Sequence, residues 1–298
     1  MAGELDFIAR LRALARHPAA RGLNDDCAVL PLGTGTGSET LILTHDAMAQ
    51  GVHYLPTQDM ADVAWKLVAS NLSDLAAKGA QPLGVLLGYS LGGDDTRFLE
   101  GLAQVLDHYD TPLLGGDTIR VDGPLSFGLT AVGRATHLPV PSRSGARPGD
   151  AIWITGGVGA AMMGFEALQA GHDDPALTVA FRRPEALVAE GQSLAPLVTA
   201  MMDVSDGVLL DAWRMGTASG VTMAIDSAAV PLRAPEERRR DALSWGEDYQ
   251  LLFTAPAGCL LPVEATRIGE VRTKGDAPLL LDGVTMRESD HLGWHHKG

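Results

Sequence analysis

Cysteine is nearly absent from this chain: Cys27 and Cys259 are the only two in 298 residues. They stand far apart and without metal-ligand spacing, which excludes a disulfide framework and a paired-cysteine zinc site. Positive charge is scarce too, with 23 lysines and arginines against 37 acidic residues and a net charge of −14. A partner held by phosphate neutralisation, such as duplex nucleic acid, is therefore not expected, and an anionic substrate needs metal ions or local arginines. Long hydrophobic runs are missing. The longest, such as Leu83 to Leu91, is broken by glycine and falls far short of the roughly 20 residues that span a bilayer, so no membrane segment is expected. The first residues show no secretory apolar core, and with so little cysteine a reducing, cytoplasmic setting fits best.

Several familiar ligand signatures are also missing. There is no GxxxxGK loop for phosphate, no EF-hand calcium pattern and no HExxH zinc motif. Gly157-Val158-Gly159-Ala160-Ala161-Met162 lacks the final glycine of GxGxxG and is a weak candidate anion site. His291, His295 and His296 read as a tail rather than a metal centre. If nucleotide is bound, metals must carry its phosphates.

What the chain does have is apolar material, at 46 % hydrophobic residues, enough for a large core and, at this length, two domains. Apolar runs bounded by turn residues alternate with helical-period segments, which favours α/β or α+β. Strands are expected at Thr40–Thr44, Leu83–Ser90, Thr111–Leu114 and Leu125–Gly133, with helices over Asp62–Lys78 and Asp95–His108. The proline-rich segment Ala135–Gly149 reads as a linker. Beyond it the pattern predicts strands at Ala151–Thr155, Val221–Ile225, Tyr249–Thr254 and Pro278–Leu281. Helices are expected over Val158–Ala170, from Pro184 onward, and over Val208–Ala218 with a stop at Ser219-Gly220. The block Glu236-Glu237-Arg238-Arg239-Arg240 reads as a solvated helix face.

The carboxylates stand out by placement. Leu41 to Asp46 carries an apolar strand into a polar tip, and Leu113-Leu114-Gly115-Gly116-Asp117 repeats the design with a glycine pair, which suggests ligand-binding strand ends. Asp74 lies in a largely apolar helix and must be paired, protonated or metal-bound if buried. The plainer alternative is a surface pair with Lys78 at i, i+4. Asp25-Asp26, taken alone, reads best as turn residues, and in Asp203-Val204-Ser205-Asp206-Gly207 either Ser205 or Asp206 suits a helix N-cap. Five such clusters in one acidic chain suggest a hard-cation site of oxygen ligands, with Mg²⁺ the best fit.

Taken in order, Asn24-Asp25-Asp26-Cys27-Ala28, Thr44-His45-Asp46 with Gly51-Val52-His53, and Asn71-Leu72-Ser73-Asp74-Leu75-Ala76-Ala77 resemble the thiamine-monophosphate kinase family. Gly115-Gly116-Asp117-Thr118, the run Arg143 to Asp150, Asp203 to Gly207, Gly246-Glu247-Asp248-Tyr249 and Gly293-Trp294 continue the likeness over nearly the whole length. The aspartate–glycine elements alone also fit the wider superfamily of aminoimidazole-ribonucleotide synthetase and selenophosphate synthetase.

The resemblance implies a two-domain aminoimidazole-ribonucleotide synthetase-like fold. An α/β domain over residues 1–136 pairs its sheet with its twin in a homodimer, and an α+β domain covers 137–298. It implies ATP and several Mg²⁺ ions between the domains, with thiamine monophosphate as acceptor. By position, Asp26, Thr44, His45, Asp46, Asp74, Asp117, Asp203 and Asp206 match metal ligands, and Tyr109, Gly116, Asp117, Arg143 and Ser205 match ATP contacts. His53, Glu247 and Trp294 match substrate contacts, and Asp46, Asp117 and Arg143 are the implied catalytic residues. An indole at Trp294 suits a cationic thiazolium ring. Three positions depart from the family pattern. Asn24 and Trp245 replace glycines, and His45 replaces a hydroxyl residue. If that position binds metal through its carbonyl, His45 can serve; if through its side chain, a ligand is lost.

The expected reaction is direct transfer of the γ-phosphoryl group of ATP to the substrate phosphate. A monoester with a second pKa of about 6 is already largely dianionic at neutral pH and needs no strong base. The alternatives are another ATP-dependent enzyme of the superfamily, or a non-catalytic metal or thiamine-phosphate binder. No cysteine precedes Asp25, which disfavours a selenophosphate synthetase.

Overall fold

The computed structural model describes residues 4–33 and 39–294. Helix α1 (Glu4–Arg12) leads to strands β1 (Ala28–Leu32) and β2 (Glu39–Ala49). Helix α2 (Met60–Ala77), β3 (Ala80–Leu91), α3 (Asp95–His108), β4 (Leu113–Arg120) and β5 (Ser126–Ala135) complete a five-stranded sheet in the order β1-β2-β5-β3-β4. Residues 136–149 carry neither helix nor strand. After them come β6 (Asp150–Ile154), α4 (Ala160–Gln169), α5 (Pro175–Arg182), α6 (Val188–Leu194) and β7 (Ala200–Asp203). The chain continues through α7 (Val208–Ser219), β8 (Thr222–Ile225), α8 (Arg239–Ser244), β9 (Leu251–Pro256), β10 (Thr266–Arg272), β11 (Leu279–Leu281) and β12 (Val284–Thr285). Its seven strands form a second sheet, β12-β11-β8-β10-β6-β9-β7. None of the described helices is long and apolar enough to cross a membrane.

Helix α2 organises the molecule. Asp59 caps it by accepting from the Ala61 amide at 2.9 Å, leaving one orphan donor fewer. Every residue from Ala61 to Ala77 is buried, as expected of a helix covered on all sides. It packs against β2, β5 and α3 of its own half and against α6 and β7 of the other. A small core of Ala76, Ala77, Leu194, Met201, Leu251 and Phe253 seals that junction. Polar groups on α2 therefore sit in the interior and must find partners there.

The structure corrects three expectations about elements. The strands around Asp46 and Asp117 run past those residues, to Ala49 and Arg120, so neither aspartate lies at a strand tip. Among the described strands only β3–β4 and β8–β11 pair in parallel, and the strand-end rule for parallel α/β sheets does not apply. No helix starts at Pro184. Instead Asp174 caps α5 by accepting from the Ala176 amide at 2.9 Å, and the Pro184 carbonyl accepts from Trp65 Nε1 at 2.9 Å. At the end of α7, Gly220 adopts φ 66° as the helix stop requires. In the charge block Arg239 pairs with Glu236 and Arg238 with Glu166 and Asp241.

Candidate active site

The polar residues of α2 reach β2 on one side and β7 on the other. Asn71 Oδ1 accepts from the Asp46 amide at 3.0 Å, and its Nδ2 donates to the Leu67 carbonyl at 2.9 Å. Thr44 Oγ1 donates a short hydrogen bond to Asp74, and Ser73 Oγ donates to Asp203 at 2.8 Å. These contacts aim three carboxylates at one point: an oxygen from each of Asp26, Asp74 and Asp203 lies within 4.8 Å of the others.

Electrostatics divide this cluster. Burial, with Asp46, Asp203 and Asp26 adding like charge, raises Asp74 well above the carboxylate range. Burial and Asp26 push Asp203 up to about 8, and burial with Asp26 also raises Asp46. For Asp26 burial acts the same way, but Arg143 and Lys78 outweigh it and hold the carboxyl low. Asp25 is likewise held low by Lys78 against the effect of burial. Lys78 thus pairs with Asp25 and Asp26 at 2.5 and 2.6 Å, and the surface pair with Asp74 does not form: both residues are inside.

Beside the cluster opens a cavity of about 360 Å³, lined by Asp46, whose charge acts on the cluster, and by His53, Ser205, Asp206, Glu247 and Trp294. Phe165, Phe181 and Trp245 form an aromatic wall, with the Phe165 ring 5.2 Å from Phe181 and 5.3 Å from Trp245. Lys66 Nζ lies 3.6 Å from the Phe181 ring centre and donates to Glu247 at 2.8 Å and to the His53 carbonyl at 2.9 Å. Burial lowers the Lys66 pKa, against the opposing effect of Glu247. His53 Nδ1 accepts from the Ala49 amide at 3.0 Å. Glu247 is held with φ 66°, a conformation costing of order 1–3 kcal/mol for a non-glycine residue. Just before it, Gly246 is pressed so tightly on the chain that a Cβ would lie 2.1 Å from the Ser205 carbonyl oxygen. The Asp206 carbonyl accepts from the Trp294 amide at 3.0 Å, its amide donates to Asp211 at 3.1 Å, and its carboxylate pairs with Arg214. Burial raises Asp211 to about 7.

Asp26, Thr44, Asp46, Asp74, Arg143 and Asp203 are therefore brought together, with Ser205, Asp206, His53, Glu247 and Trp294 around the adjoining cavity. Four expected residues are not. His45 turns its ring to the opposite face of the sheet from Asp46, where Nδ1 lies 2.9 Å from Thr130 Oγ1. Asp117 is paired with Gly88, Gly88 with Gly128, and Gly128 lies under the His45 ring. Asp117 thus shares the His45 face, three strands from β2, or about 14 Å at the usual strand spacing. Gly116 precedes it, its Cα so near β3 that a Cβ would lie 2.0 Å from the Leu87 carbonyl oxygen. Tyr109 packs on Trp65 and His108 and accepts from the Ala186 amide at 2.8 Å, none of them cluster residues. The glycine turn at Gly157–Gly159 is no open anion site, because Asp248 fills it: both carboxylate oxygens accept from the Gly159 amide at 3.0 Å. His295 and His296 lie outside the described residues.

The sequence pattern alone assigns no site role to Lys66, Asp211 or Arg214, and offers Lys78 only as a surface partner of Asp74. The one signal available was the presence of two lysines on a helix otherwise rich in apolar residues.

The chain matches the family models for AIR synthase related protein, the N-terminal domain over residues 24–135 and the C-terminal domain over 147–276. It is 38 % identical to an Escherichia coli thiamine-monophosphate kinase over 280 residues, covering 85 % of this chain and 83 % of that protein. A Caulobacter vibrioides thiamine-monophosphate kinase is 35 % identical over 322 aligned positions, covering 98 % of this chain and 90 % of the relative. Among solved structures, AaThiL complexed with AMPPCP and TMP superposes with a TM-score of 0.87 at 28 % identity, covering 99 % of this chain and 97 % of that one.

Proposed function

Because the chain belongs to the thiamine-monophosphate kinase family, we propose that it transfers the γ-phosphoryl group of ATP onto the phosphate of thiamine monophosphate, giving thiamine diphosphate and ADP. The observation that carries this reading is the adjacency of the two compartments. A carboxylate cluster suited to metal-bound polyphosphate lies beside a cavity walled by aromatic rings, with Asp46 lining the cavity and close enough to act electrostatically on Asp26, Asp74 and Asp203.

The donor set fits Mg²⁺. All the converging atoms are carboxylate oxygens, and no ion pair among the described residues involves Asp46, Asp74 or Asp203, so these oxygens are open to a hard cation that would displace the protons burial keeps on Asp74 and Asp203. Asp26, Asp46, Asp74 and Asp203 would hold the ions, with Asp206 at the mouth of the cavity. Bound Mg²⁺ would offset the repulsion between the two phosphate groups and the charge of the transition state. Thr44, Ser73 and Asn71 fix the carboxylates and strand that do the holding. Arg143 supplies a permanent guanidinium beside Asp26. Glu247, Trp294 and the aromatic wall offer negative charge and π-faces to the thiazolium cation, and the acceptor dianion needs no strong base.

Asp117 finds its place in a dimer. On its face of the five-stranded sheet Leu86, Leu114 and Ile119 are 41 %, 55 % and 52 % exposed beside the unpaired edge β4, an apolar surface suited to a second copy of the same sheet. In this reading the partner subunit's Gly116 and Asp117 complete each nucleotide site, and His45 contributes its main-chain carbonyl.

Purified protein incubated with ATP, Mg²⁺ and thiamine monophosphate should form thiamine diphosphate, separated and quantified by chromatography. Binding of both substrates without that product would overturn the reading.

A further inference from the structure

Lys78 caps the C-terminus of α2, and its side chain is wholly buried. Its ammonium lies between Asp25 Oδ1 at 2.5 Å and Asp26 Oδ2 at 2.6 Å, with the Met201 carbonyl at 3.4 Å. Two arginines complete this corner. Arg21 pairs with the other Asp25 oxygen and also donates to the carbonyls of Val140 and Pro141, while Arg143 pairs with the other Asp26 oxygen.

The opposite side of the cluster is different in kind. Asp74 and Asp203 each bring an oxygen within 4.8 Å of Asp26, yet their partners are the hydroxyls of Thr44 and Ser73. Three fixed cations thus serve two carboxylates, and none serves the other two. An ammonium bridging two buried carboxylates does the electrostatic work of a bridging metal ion, but it is tethered to the chain and cannot dissociate. Displacing it would strand an unsolvated charge in the interior, which is strongly unfavourable.

We propose that Lys78 is a resident cation of the metal site. Its ammonium occupies the bridge between Asp25 and Asp26 that a divalent ion would otherwise take, so that divalent ions bind on the Asp74–Asp203 side. Lys78 is then a positioning residue: it acts through Asp26, holding that carboxylate in place at the edge of the cluster and reducing by one the ions needed to neutralise it. The proposal rests on the metal reading of the site given above.

Mn²⁺ alone is the probe. Anomalous scattering from Mn²⁺-soaked crystals of the unmodified protein should show ions against Asp74 and Asp203 and none between Asp25 and Asp26. By electron paramagnetic resonance, Lys78→Met protein should bind one Mn²⁺ per chain more than wild type, and the added ion should be lost in Lys78→Met/Asp25→Asn. A variant that melts cooperatively only with Mn²⁺ present would support the same exchange of ammonium for metal. An ion bridging Asp25 and Asp26 with Lys78 displaced in the wild-type crystals overturns the proposal, as does an unchanged Mn²⁺ count in folded Lys78→Met. If the variant folds under neither condition, the wild-type anomalous map decides alone. Mn²⁺ absent from both sides would sink the metal reading and the proposal with it, a result distinct from a displaced lysine.

Discussion

Lys66 and Glu247 meet at 2.8 Å inside the aromatic cavity, one from the covered helix α2 and the other from a left-handed turn in the second half of the chain. Lys66 is almost wholly buried, with 1 % side-chain exposure, while Glu247 keeps 22 % exposure to the cavity, so the lysine depends on the pair more than the glutamate does. Lys66→Met, which leaves Glu247 without its partner in a partly open cavity, should destabilise the protein by about 1–3 kcal/mol. Lys66→Met/Glu247→Leu should recover much of that loss, since an apolar pair of similar volume is tolerated where a lone charge is not. Urea denaturation of the two variants checks the difference. Equal destabilisation would show that packing around Phe181, not charge pairing, dominates.

A pH signature follows from Asp203 and Asp74. With Asp203 held at about 8 against an ordinary 3.8, the folded metal-free chain keeps a proton that the unfolded chain releases. Its contribution to stability is complete below about pH 4 and is lost as pH rises through about 8. Asp25 and Asp26, held low, act in the reverse sense: their contribution is present above the ordinary value and lost only in stronger acid. Without metal, Tm should fall between pH 5 and pH 8, and added Mg²⁺ should raise it more at pH 8 than at pH 5. Because a ligand carboxylate must be ionised, Mg²⁺ binding at pH 7 should also release protons. Calorimetry in buffers of different ionisation enthalpy detects that release, and a heat independent of buffer would contradict it.

Much of this architecture is readable from local pattern. Helix α3 spans Asp95–His108 as its periodicity indicates, and α7 stops at Gly220. Four strands are not visible in that pattern, the short β1 and β12 and the longer-range β7 and β10. In β7, Ala200–Asp203 offers no alternation because both faces are buried, and in β10 the charged residues of Thr266–Arg272 mask a short apolar stripe. The Gly115-Gly116 pair looked like a break, yet β4 continues through it because glycine there permits close contact with β3. The carboxylates were legible as motifs, each a short contiguous string. Their partners were not: Lys66 finds Glu247 across 181 positions and Lys78 finds Asp25 across 53. Sheet-face geometry was equally hidden, so Asp46 and Asp117 looked alike until the register put them on opposite sides.

Trp245 lines the cavity, its ring against Phe165 at 5.3 Å. An aromatic wall stacked on a substrate ring contributes roughly 0.5–1.5 kcal/mol beyond buried area. Trp245→Gly should therefore raise KM for thiamine monophosphate by about tenfold, near the upper end of that range. KM for ATP should hardly change, because Arg143 and the carboxylate cluster make no contact with this wall. Steady-state kinetics with each substrate varied in turn separates the two. An equal rise for both substrates would mean that Trp245 supports the fold rather than the pocket.

The opposite orientations of Asp46 and Asp117 make a sharper demand. If a complete site takes Asp46 from one chain and Asp117 from its partner, then Asp46→Asn and Asp117→Asn should each lower kcat by about 100-fold or more through misplaced metal and phosphate. Co-expression of the two variants should restore activity. In a two-fold symmetric dimer, random association makes half the dimers mixed, and each mixed dimer holds one site with both aspartates intact, so about a quarter of the wild-type rate returns. A site confined to one chain cannot behave this way, since every chain in the mixture lacks one aspartate. Activity no higher than that of the separate variants, measured on dimers shown to be mixed by differential tagging, would confine the active site to single chains. Asp117 would then serve the sheet edge alone.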